Sequence, residues 1–185
     1  MSDKFRVDVE VFHRDEISLD PANQVKLGYA IYHWAILIRP KDFRSIDACT
    51  SFDATNGVRL DPIRRIDVNK DNDWYFRVSY RVNPLASGRF LGAVTIGKLP
   101  KNVTAQQVEA VLSTVDLPRK GQSPEEDCSS WIMSALDALQ KEGFTEAISA
   151  EEIMASAKAL GDEVMRDGPP PKIEDRFRNL TTRKM

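Results

Sequence analysis

"YAIYHWAILI", residues 29–38, decides how the rest of the chain is read. It is apolar at successive positions rather than alternate ones, the pattern of a strand buried on both faces, and Pro40 closes it. A central strand needs neighbours. Phe5, Val7, Val9 and Val11 alternate with Arg6, Asp8 and Glu10 and predict a first strand. Further strands are expected in "SIDACTSFDAT" (45–55), "GVRLDPIRRIDV" (57–68), "WYFRVSYRV" (74–82) and "GRFLGAVTIGKL" (88–99). "DEISLDPANQ" (15–24), with its Asp, Pro and Asn turn formers, reads as a loop.

After residue 100 the period changes from two to 3.6. Thr104 and Gln107 make a capping box ahead of Val108, Val111, Leu112 and Val115. Ser123, Pro124 and Glu126 open a second helix carrying Trp131, Ile132, Ala135, Leu136 and Leu139, with Gly143 as its stop. Ser149 and Glu152 open a third, with Ile153, Leu160 and Val164 on one face and "GPPP" (168–171) at its end. Strands first and helices after predict an α+β fold: a central antiparallel or mixed sheet of five to six strands with three helices. Residues 1–170 are expected to form one domain, followed by a C-terminal arm, 171–185.

With 42% apolar and 29% charged residues, the 185-residue chain has the make-up of a globular domain. A net charge of −2 supplies no basic face, so nucleic acid is not an expected partner. No window reaches the roughly 18 apolar residues of a membrane span, and the N-terminal "MSDKFRVDVE" lacks a signal-peptide core. A cytoplasmic location is expected. Cys49 and Cys128 have no CxxC spacing, so neither a disulfide framework nor a structural zinc site is expected.

His33 is the anomaly in the central strand. A ring nitrogen left unsatisfied there costs roughly 1–3 kcal/mol, where Val or Ile would cost nothing. Cys128 stands in "EDCSSW" at a helix start, where the dipole and free N–H groups favour thiolate. Glu125, Glu126 and Asp127 oppose that charge, so a cation is needed, and His33 is the candidate. Asp53, on the strand expected beside that of His33, would fix the ring's tautomer. His13, at the end of the first strand, and Cys49, with no helix start behind it, read as structural.

"YHWAILI", then "SFDAT", then a distant "DCSSWIMSAL" resembles the circularly permuted branch of the papain-like superfamily, which includes lecithin:retinol acyltransferase-like enzymes, PPPDE isopeptidases and NlpC relatives. The resemblance implies a papain-like core, with His33 as the catalytic histidine and Cys128 as the nucleophile. Asp53 stands where the acyltransferase-like members have a second histidine. The chain is also similar to a fungal domain of unknown function carrying "YHWA", "ATN", "IGK" and a Cys–x–x–Trp helix, here residues 32–35, 54–56, 96–98 and 128–131. The implied activity is hydrolysis of, or acyl transfer from, an amide, isopeptide or ester through a Cys–His–Asp thioester mechanism without cofactor. The expected substrate is a peptide, acyl or small-molecule compound, held by Trp34, Trp131 and Asn56. The sequence also permits an inactive papain-like domain whose cleft, lined by Trp34, Trp74 and Trp131, binds a partner or ligand, or an accessory enzyme of fungal secondary metabolism.

Overall fold

The computed structural model describes residues 5–41 and 48–175. Within them lie strands β1 (Phe5–His13), β2 (Tyr32–Pro40), β3 (Thr50–Thr55), β4 (Tyr75–Tyr80), β5 (Phe90–Lys98) and β6 (Lys172–Glu174). The helices are α1 (Glu16–Leu19), α2 (Pro21–Lys26), α3 (Ala105–Leu112), α4 (Cys128–Lys141) and α5 (Ala150–Asp167). The fold is α+β, and all six strands join one mixed sheet in the order β4-β3-β2-β1-β5-β6. Every pairing is antiparallel except that of β6 with β5.

β2 sits inside the sheet, as its double-sided apolar run requires, and pairs along its whole length with β1, from Phe5 opposite Pro40 to His13 opposite Tyr32. Successive side chains of a strand point to opposite faces, and that splits each sequence into two sets. Val7, Val9 and Val11 of β1, Trp34, Ile36 and Ile38 of β2, and Phe52 and Ala54 of β3 form the core with Trp131, Ile132, Leu136, Ile153 and Leu160 of the helices. α4 lies against β2 and β3, and α5 against β1 and β5.

The second face is polar yet buried. Asp8, Glu10 and Asp53 are 0%, 1% and 3% exposed, so their charges or protons must be accommodated inside the molecule. Asp8 does so by an ion pair with Arg39 of β2, 2.5 Å from Nε, while Thr95 accepts from the same guanidinium. Burial nevertheless pushes the Asp8 carboxyl up, with the Arg39 charge opposing it.

Five expectations are corrected, one of them the start of the second predicted helix, which lies at Cys128 behind its cap Asp127 rather than at Ser123–Glu126. Residues 15–24 are not loop throughout: α1 and α2 occupy much of the segment, and Asp20 caps α2 by accepting from the N–H of Ala22 with Pro21 at the first helical position. α2 buries no side chain, so it leaves no amphipathic period to read. The predicted strand 57–68 is a loop with a single bridge, Leu60 to Asp67. Asp61 accepts from the N–H groups of Ile63 and Arg64, and Asp67 from those of Arg59 and Asn69, so turn chemistry claims the backbone that a ladder would need. Residues 29–31 belong to a 3-10 turn, Gly28–Ile31, rather than to the strand. In the predicted C-terminal arm, Lys172–Glu174 form β6, and residues 176–185 lie outside the described residues, as do 42–47 of the predicted third strand.

Candidate active site

The polar face of the sheet forms the floor of a cavity of about 930 Å³. His33, Asp53 and Cys128 all line it, with Glu10, Arg77 and Trp74 among the other walls. His33 comes from β2, Asp53 from β3 and Arg77 from β4; Arg77 stands directly opposite Asp53 in the β3–β4 register. Cys128 arrives from the other layer as the first residue of α4.

The His33 ring gives Nε2 to Asp53 Oδ2 at 2.7 Å. That nitrogen is thereby occupied, and Cys128 also acts on the ring as a hydrogen-bond partner. Burial opposes an imidazolium here. The Asp53 hydrogen bond and the contact with Cys128 outweigh it and hold the His33 pKa up at about 9. Asp53 answers in kind. Its burial would raise its pKa, but the hydrogen bonds from His33 and Arg77 keep it ionised and below the usual carboxylate range. Arg77 donates from Nε to Oδ1 at 2.9 Å and from Nη2 to Oδ2 at 2.7 Å, a two-pronged contact that fixes the plane of the carboxylate.

The start of α4 is built by Asp127. Its Oδ1 accepts from the N–H groups of Ser129 and Ser130 and from the Ser129 hydroxyl, and Ser130 Oγ accepts from the Asp127 N–H in return. The Cys128 thiol reaches the carbonyl of Tyr32, the residue before His33, at 3.7 Å, which ties the helix start to β2. Two of the three acidic neighbours are engaged elsewhere: Asp127 is spent on the cap, and Glu126 pairs with Arg119 at 2.6 Å.

Asn56, exposed, lines the cavity as expected. Trp34 and Trp131 do not. Trp34 follows His33 directly and so points to the helical face, where it is fully buried and donates to the Tyr29 carbonyl at 2.8 Å. Trp131 is 1% exposed and lies against Phe76, with ring centroids 5.9 Å apart. Trp74 alone of the three tryptophans faces the cavity. His13 also lines it, with its ring hydrogen-bonded to the Gly88 carbonyl, whereas Cys49 is buried. Sequence reasoning missed Arg77 and Glu10. Both sit at alternate strand positions facing His33 and Asp53, but the pairing register that aligns them is not written in any one segment.

Glu10 differs from the other two carboxylates of this face. Ser51 Oγ donates to its Oε2 at 2.5 Å, and among the described residues no Lys or Arg pairs with it. Burial, with the Ser51 hydrogen bond opposing and the charges of Asp8 and Asp53 adding, pushes its pKa up to about 8.

Fold and site together define an α+β protein in which a thiol, an imidazole and a carboxylate meet at a cavity wall. The chain matches a family of unknown function, DUF6914, over residues 4–167, and it belongs to that family. No curated protein and no solved structure matches it. Among the described residues, no helix is long and apolar enough to cross a membrane, and no cluster of His, Cys, Asp and Glu has the grouping to hold a metal ion.

Proposed function

We propose that the cavity is the active site of a cysteine-dependent hydrolase or acyltransferase of papain-like type, acting on an amide, isopeptide or ester. One observation carries this reading: the ring of His33, anchored by Asp53 at 2.7 Å, and the thiol of Cys128, at the first position of a capped helix and 3.7 Å from the carbonyl of the residue before His33, line the same cavity. A ring held at about 9 stays protonated at neutral pH and supplies the charge that a thiolate pairs with.

In this mechanism the proton of Cys128 already rests on His33, and the thiolate sulfur forms a bond to the substrate carbonyl carbon. The oxyanion is met by the Cys128 backbone N–H, one of the free donors of the first helical turn. The bond from carbon to the leaving nitrogen or oxygen breaks, and His33 returns its proton to that atom. Water, or a second nucleophile, then loses a proton to His33 and displaces the thiol from the thioester. Asp53 holds the ring in place throughout, and Arg77 is a positioning residue acting through Asp53.

Alkylation tests this directly. Iodoacetamide at pH 6 is expected to label Cys128 well ahead of Cys49, and p-nitrophenyl acetate to leave an acetyl group on Cys128, both effects falling away in His33→Ala. Equal, slow labelling of the two cysteines would overturn the reading in favour of an inert ligand-binding cavity, which the 2% exposure of Cys128 favours.

A further inference from the structure

Three buried carboxylates face the same side of the sheet, and their neutralisation is uneven. Asp8 has Arg39, and Asp53 has both Arg77 and His33. Glu10, which lines the cavity, has a serine hydroxyl and, among the described residues, no ion pair; the charge of His33 reaches it only from the neighbouring strand. A carboxyl taken out of water without a paired cation escapes the cost of a bare charge by keeping its proton. The open volume beside it gives a cation from outside a place to take that proton's part.

The neighbouring positions suit that purpose. Phe12 is opposite His33, and Glu10 is opposite Ala35, so Glu10 is the diagonal neighbour of the histidine, about 7–8 Å away between backbones. Ala35, also in the cavity wall, is the smallest side chain of this floor and leaves room over β2 between Glu10 on one flanking strand and Asp53 on the other. We propose that Glu10 and Ser51 form a subsite for a protonated amine, so that the substrate carries an ammonium group a short distance from the carbonyl that Cys128 attacks. The proposal rests on the reading of this cavity as a substrate site, and its binding component stands whether or not Cys128 reacts.

Such a site is coupled to protons. Glu10 faces Asp8 on its own strand, Asp53 on β3, His33 on β2 and the Ser51 hydroxyl, and it holds a proton near neutral pH. An entering ammonium replaces that proton as the partner of the carboxylate, so binding releases it.

The test is calorimetric titration of ethylammonium through hexylammonium and of the alcohols with the same chain lengths. In the wild-type chain at least one amine is expected to bind about tenfold to a hundredfold more tightly than its alcohol, as a charge-assisted contact provides, with proton release seen as a buffer-dependent heat at pH 7. Glu10→Gln should erase both the preference and the proton release while the alcohol's affinity stays unchanged; Ser51→Ala should reduce the preference. Cys128→Ala should leave all of these as they are, which separates this proposal from the catalytic one. Equal affinities for amine and alcohol in the wild-type chain, or a preference that survives both substitutions, would overturn it.

Discussion

Asp53 carries two contacts that pull in one direction. Both Arg77 and His33 hydrogen-bond its carboxylate, and both are stabilised by its charge. The pH consequence follows from the sign of the shift. His33 is raised from 6.5 to about 9 in the folded chain, so its contribution is fully present below pH 6.5 and disappears as pH rises towards 9. Glu10, raised from 4.5 to about 8, keeps its proton in the folded state when the unfolded chain has lost it, so stability also falls as pH rises from 4.5 to 8. Between pH 6.5 and 8 the two act together. Urea titrations across that interval are expected to show falling stability in the wild-type chain, a shallower fall in Glu10→Gln, and a shallower one in Asp53→Asn, which removes the charge that raises His33. A flat wild-type profile would contradict the assignment. Of these residues, His33, Cys128 and Asp53 were legible because each breaks its local pattern. Trp34 misled as a cavity residue although the strand's period of two already set it on the face opposite His33, and Trp131 misled because an aromatic one turn after a cysteine says nothing of which layer it enters.

Helices were legible where they both bury a face and carry a cap. α3 keeps its capping box between Thr104 and Gln107 and buries Val108 and Leu112, with Val111 half-buried and Val115 past its end, while α5 has Ser149 accepting from Glu152 N–H and buries Ile153, Leu160 and Val164. α1 and α2 bury almost nothing, and only α2 carries a start signal, Asp20–Pro21. The loop 57–68 shows the reverse failure. Its alternation is real, but Val58, Leu60, Ile63, Ile66 and Val68 are exposed, because Asp61 and Asp67 hold the backbone in turns. Where α5 and β6 meet β5, the limit is space. A Cβ on Gly92 would come 2.7 Å from Leu160 Cδ2 and 2.9 Å from the Lys172 carbonyl, and the second neighbour is backbone that cannot turn aside. Gly92→Ala is therefore expected to cost about 1–3 kcal/mol in denaturant unfolding. Gly88→Ala, with nothing within 4 Å, is the control and should change stability little.

At the scale of the molecule, the sheet separates two jobs. The face under α3, α4 and α5 holds the apolar core, while the other holds the paired charges and the cavity. The α+β class and the central place of β2 could be read from composition of single segments. The order β4-β3-β2-β1-β5-β6 could not, because it depends on which strand edges meet after long connections, and that is set by packing rather than by local pattern. One element at the margin has a bearing beyond the fold. β5, "FLGAVTIGK", is buried at every position but its last, and among the described residues its outer edge is covered at Gly92–Val94 by the three residues of β6 and at Ile96 by the N–H of Glu146. Stripped of that cover, β5 would offer a row of free N–H and C=O groups on an apolar strand low in charge, the template on which other chains add as cross-β stacks. β6 is thus expected to guard that stretch of the edge against self-assembly. A chain cut after residue 170 is expected to retain its helical circular dichroism yet form thioflavin-positive aggregates on warming at concentrations where the full chain stays clear, and equal light scattering from the two would refute that role.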